Sequence, residues 1–160
     1  MINYKELITE ENLKMFNIHD DLKDKSVEEL KEICDEQRLP FSVGIINITG
    51  GLNVGGIIRS ASLFGARRVV IFGRKVFDKR STVGAHNYIK IKHYKELSSL
   101  KINQVMAEHD MTPVFIEQGG TPLPEYQWAE SKLWRHPCLI FGNENSGIPD
   151  YLLEEMKSFD

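Results

Sequence analysis

The sequence is poor in cysteine: Cys34 and Cys138 lie far apart, and no CxxC pair occurs. A disulfide framework and a cysteine-built zinc site are therefore excluded, and a reducing, cytoplasmic setting is expected. The histidines His19, His86, His93, His109 and His136 are scattered, with no HExxH or other ligand spacing and no Ser-His-Asp arrangement. No metal is expected, and none of the five is assigned a role. Long apolar runs are also missing, and the opening MINYKELITEENLK lacks the apolar centre of a signal peptide. A soluble protein without a membrane partner is expected. Neither an internal repeat nor a low-complexity tract occurs. A formal net charge of −3 speaks against a protein that coats nucleic acid indiscriminately.

What is present is enough for one real core. A chain of 160 residues with 41% hydrophobic and 27% charged residues has ordinary globular composition, and folding at this length buries roughly two thirds of the unfolded surface. The charge is segregated. From Arg67 to Lys95 nine basic residues stand against the single acid Asp78, a local net charge of +8 with histidines neutral. Arg67, Arg68, Arg74, Lys75, Lys79 and Arg80 lead that stretch. A solvated face uses such residues, and so does a surface that contacts phosphates.

Before Pro40 the pattern is polar and helical. Ser26 and Glu29 have capping-box spacing, and Val27, Leu30, Ile33 and Cys34 share one helical face. Residues 1–40 read as a helical extension that covers one edge of the core, with substrate recognition or dimer packing as alternatives. From residue 41 to 160 short apolar runs bounded by Gly, Pro and Asn alternate with helical stretches, the pattern of an α/β domain with a mostly parallel sheet and flanking helices. Strands are expected at Ser42–Ile48, Arg68–Phe72, Pro113–Glu117 and Cys138–Phe141, with a weaker fifth at Tyr88–Ile91. Helices are expected at Gly55–Phe64, Lys95–His109 and Pro149–Met156.

Two glycine-bearing segments are candidates for chemistry. In Asn47–Gly73, Gly50, Gly51, Gly55 and Gly56 follow a strand, a composition that permits positive φ and close approach by a ligand or another chain. The spacing is not GxGxxG, and no Lys-Ser or Lys-Thr follows, so dinucleotide-binding and P-loop sites are disfavoured. The helix beyond offers Ile57, Ile58, Ala61, Leu63 and Phe64 for packing, with Arg59 as a lone cation among them. A carboxylate would satisfy that arginine, and so would a phosphate or substrate anion that fits the guanidinium fork. In CLIFGNENSGIP, Cys138 to Pro149, a buried strand opens at Gly142 into a polar loop, and parallel sheets bind ligands at such ends. Turn chemistry alone accounts for the asparagines and glycines and accounts less well for Glu144, since a carboxylate beside a buried strand end is usually paired or used.

Together, NVGGIIRSASLFG (Asn53 to Gly65) resembles motif 1 of the SpoU (TrmH-type) RNA 2′-O-ribose methyltransferases, and FGNENSGIP resembles their motif 2, in the family's order. The resemblance covers Ser42 onward. It implies an α/β-knot (SPOUT) fold working as a homodimer, with S-adenosylmethionine as methyl donor and a ribose 2′-hydroxyl of tRNA or rRNA as acceptor. Carried over by position, Arg59, Asn53 and Glu144 become the catalytic set. Glu117, Phe141, Gly142, Asn143 and Ile148 become the cofactor contacts, and the basic stretch holds the RNA backbone. A third motif, an Ile-Pro strand with Ser-Leu-Asn and a last helix, is implied after Met156 and is not within these residues, so the knot and pocket are expected to be incomplete in them. A longer parent chain is the expected explanation. The rival expectation is a catalytically inactive RNA-binding or assembly protein on the same scaffold.

Overall fold

The computed structural model describes residues 24–46, 50–74, 77–122, 125 and 136–157. Helix α1 (Val27–Glu36) is followed by β1 (Ser42–Ile46), α2 (Gly51–Leu63), β2 (Arg68–Phe72), two 3-10 turns (Lys79–Thr82 and Ala85–Asn87), β3 (Lys90–Tyr94), α3 (Ser99–Glu108), β4 (Thr112–Ile116), β5 (Pro137–Phe141) and α4 (Asp150–Lys157). All five strands are parallel, in the order β3-β2-β1-β5-β4. The sequence expectation of a parallel α/β sheet therefore holds.

Strand alternation sends the two sets of side chains to opposite faces. On one face Ile46, Val70, Phe72, Cys138 and Ile140 pack under Ile102, Val105 and Met106 of α3 and Leu152 of α4. On the other, Val43, Ile45, Val69 and Ile71 pack under Val54, Ile58 and Ala61 of α2. Burial pushes the Cys138 thiol up to about 12, so it is an inert core residue. The α2 side is only half covered: among the described residues no helix lies over Leu139 and Phe141 of β5, and both stay partly accessible.

Several boundaries differ from the sequence expectation. Helix α2 starts at Gly51, four residues early, because burying Val54 completely outweighs poor glycine propensity. Gly55 and Gly56 are thus helical, and none of the four glycines from 50 to 56 takes positive φ. Strand β3 runs Lys90–Tyr94, not Tyr88–Ile91, since pairing aligns Tyr94 with Phe72, and their rings stack at 5.6 Å. Helix α3 starts at Ser99, where Ser98 caps it by accepting the Lys101 N–H at 3.1 Å. The Ser26–Glu29 capping box on α1 forms as expected. Yet α1 buries no residue. It is tethered by a 2.6 Å ion pair from Asp35 to Lys90.

Candidate active site

The sheet order reverses direction between β1 and β5: from β1 the chain moves to β2 and β3, then returns on the far side through β4. A crevice at the carboxyl ends of the two strands flanking such a switch is where open parallel sheets bind ligands. The segments after β1 and β5 meet there. Asn53 Nδ2, in the first turn of α2, donates to Glu144 Oε1 at 3.2 Å, a contact spanning 91 residues of sequence.

The β5 loop is rigid for local reasons. Asn143 and Gly147 exchange backbone hydrogen bonds of 2.9 and 2.8 Å, while Asn143 Oδ1 accepts the N–H groups of Asn145 and Ser146. A Cβ on Gly142 would lie 2.3 Å from the Gly147 carbonyl carbon, and Gly147 has φ +64°. Loop closure requires both glycines. Glu117, just past β4, holds the loop from the side. Its Oε2 accepts the Ile148 N–H at 2.8 Å and its Oε1 the Gln118 N–H at 3.0 Å. Gln118 and then Ile148 thereby hold the Glu117 carboxyl below the usual carboxylate range, against a smaller opposing effect of burial. Four of the five expected cofactor contacts (Phe141, Gly142, Asn143 and Ile148) are thus consecutive or nearly so on one loop, and Glu117 is hydrogen-bonded to it.

Beneath Asn53 a cavity of about 710 Å³ runs along the uncovered flank of α2, floored by Leu139 and Phe141 and walled by Ile57 and Phe64. Arg59 points elsewhere. Six residues on from Asn53, it lies about 9 Å further along the helix axis and roughly 120° around it. It is exposed and makes no ion pair or hydrogen bond with any described residue. Leu63 and Phe64, expected to offer packing surface, are 76% and 74% exposed.

The basic stretch is divided by the sheet. Arg67 and Arg68 enter β2 and Arg74 follows it, so the strand separates them by roughly 13 Å or more. Lys79 and Arg80 lie on the same later segment as Arg74, and Arg80 is chelated by Asp78 through contacts of 2.6 to 3.1 Å. Arg68 Nε is enclosed without a hydrogen-bond partner. Lys75 lies outside the described residues.

Sequence reasoning missed the segment from Phe77 to Tyr88, which straps α2 along its length. The Asp78 N–H donates to the Gly51 carbonyl at 2.9 Å. A Cβ on Gly55 would lie 1.8 Å from Ser81 Oγ. Arg38 closes the far end, donating to Ser62 O at 3.1 Å and to Tyr88 O at 2.7 Å. The available signal was Gly55 itself, a residue with no helical reason to be glycine.

The family model for the SpoU rRNA methylase family matches residues 40–159. The chain belongs to that family. Solved structures with similar folds include the A. aeolicus TrmH/SpoU tRNA modifying enzyme, 16% identical with a TM-score of 0.61 over 80% of this chain and 64% of that one. The SpoU methyltransferase AviRb from Streptomyces viridochromogenes, solved in complex with the cofactor AdoMet, is 20% identical with a TM-score of 0.57 over 74% of this chain and 46% of that one. An AdoMet-bound rRNA methyltransferase from Sinorhizobium meliloti is 22% identical, again at 0.57, over 79% of this chain and 48% of that one. This SpoU-family chain spans from about half to just under two thirds of those proteins. No curated protein matches it.

Proposed function

We propose that this SpoU-family chain is an RNA methyltransferase that uses S-adenosylmethionine to methylate a ribose 2′-hydroxyl of tRNA or rRNA. The observation that carries the reading is the Asn53–Glu144 contact, which joins the glycine-rich start of α2 to the β5 loop at the switch point. A rigid loop with partly accessible Phe141 beside polar backbone suits a flat, charged nucleoside, and Glu117, Phe141, Gly142, Asn143 and Ile148 would hold it. When bound, S-adenosylmethionine supplies an intrinsically reactive sulfonium methyl, so the protein's main task is to align the attacking oxygen with it. Asn53 fixes the Glu144 carboxylate at the lip of the site. Arg59 binds the phosphate beside the reacting ribose and stabilises the developing alkoxide. A guanidinium keeps its proton and is a poor base, and the proton leaves to phosphate or water.

We also propose that the working unit is a homodimer. Exposed large apolar side chains on a helix face mark an interaction surface, and Leu52 and Leu63 of α2 are exposed on the side of Arg59, with Phe64 exposed just past the helix end. A second copy covering that face carries each Arg59 toward its neighbour's cofactor.

Calorimetric titration with S-adenosylmethionine tests the reading, since an inactive RNA-binding scaffold takes up none. Arg59→Ala is expected to abolish methyl transfer to RNA while leaving cofactor affinity nearly unchanged. Equal loss of both would make Arg59 structural.

A further inference from the structure

The strap on α2 contains a clamp with a defined chemical polarity. Thr82 is fully buried. Its Oγ1 lies 2.7 Å from the Lys79 carbonyl oxygen and 2.5 Å from His86 Nδ1. A carbonyl only accepts, so the single hydroxyl proton of Thr82 goes to Lys79, and His86 must donate from Nδ1. Neutral His86 is thereby fixed as the tautomer whose Nε2 carries a bare lone pair. That atom makes no hydrogen bond with any described residue, and the ring is only partly covered, with Phe77 beside it at 6.2 Å.

The backbone is bent to make this clamp. Val83 takes φ 47° and ψ 43°, a left-handed conformation costly for a β-branched residue, and Gly84 follows at φ 83°. Val83 is 68% exposed, so no core packing requires the bend. Its consequence is to return the chain so that His86 reaches Thr82. Strain held at a surface turn is a reason to look for function there.

The strap also lies beside the residue proposed to handle RNA. Gly51 and Gly55 meet Asp78 and Ser81, and Ser62 is joined to Tyr88 through Arg38. Residues 51, 55, 59 and 62 form one helical stripe, which brings Arg59 to the seam along which residues 82–87 run.

We infer that His86 is an RNA-specificity residue, whose Nε2 accepts a hydrogen bond from a ribose 2′-hydroxyl of the strand held at Arg59. A lone pair facing a nucleic acid needs a donor. Phosphates offer none, and the 2′-hydroxyl is the donor that distinguishes RNA from DNA. This rests on the RNA methyltransferase reading.

The test measures binding of a 20-nucleotide single-stranded RNA and the DNA of the same sequence by fluorescence anisotropy at one fixed salt concentration. Wild type should prefer RNA, and His86→Asn, which keeps a side-chain donor toward Thr82 but removes Nε2, should cut that preference by about fivefold, roughly the worth of one hydrogen bond. DNA affinity, S-adenosylmethionine affinity and melting temperature should stay unchanged. Thr82→Val, which frees the ring, should lower the preference as well. An unchanged RNA-to-DNA ratio in His86→Asn, or no preference in wild type, overturns the inference. If wild type keeps the preference but binds no S-adenosylmethionine, the methyltransferase reading fails instead, and the His86→Asn ratio still decides the role of this residue.

Discussion

Glu117 shows how much one carboxylate can organise. Its two oxygens each take a backbone N–H, one from its own chain neighbour and one from the β5 loop, so it joins two strand ends that are not covalently close. Because these hydrogen bonds favour the charged form, its folded-state pKa lies below the unfolded one. Its stabilisation is therefore complete above the ordinary carboxylate value and disappears as pH falls through the lower folded value. Glu117→Gln should melt below wild type near neutral pH, and the two curves should converge in acid. A gap of constant size in thermal melts across that range would mean that the charge is not the source. Asp78 behaves alike: the Arg80 side chain first, and then its backbone N–H, hold the carboxyl down.

At the scale of elements, α2 carries two adjacent glycines with opposite reasons for being there. A methyl group on Gly55 meets Ser81 Oγ at 1.8 Å and the Asp78 carbonyl at 2.8 Å, whereas one on Gly56 meets nothing within 4 Å. Gly55→Ala should destabilise by about 1 to 3 kcal/mol by pushing the strap away. Gly56→Ala should stabilise the isolated helix face by roughly 0.5 to 1 kcal/mol, unless a second copy presses on it. Chemical denaturation of both variants checks the pair. The strands were legible because β-branched runs such as RVVIF are buried on both faces. The start of α2 was not, since glycine propensity argued against a helix that tertiary packing imposes. The meeting of Asn53 with Glu144 was legible only through the resemblance, as no periodicity connects positions 91 apart. The Thr82–His86 clamp could not be foreseen, because it depends on a left-handed valine that local preference forbids.

For the molecule as a whole, the proposed dimer makes the clearest demands. Leu63→Glu puts a charge on a residue that is 76% exposed in the single chain, so it should cost the monomer little and shift sedimentation toward the monomer. Unchanged sedimentation, or a wild type already monomeric, would remove α2 from any interface. If sites are shared between copies, mixing inactive Arg59→Ala with inactive Glu144→Ala should restore some methyl transfer. The strand order bears on the route of synthesis as well. Strand β5, the last of the five described strands in chain order, lies between β1 and β4. A nascent chain can zip β1, β2 and β3 together early, yet β4 has no hydrogen-bonding neighbour until residues 137–141 slide in beside it. The crevice proposed for the cofactor lies on that seam, so a chain paused before β5 stays open where binding is proposed.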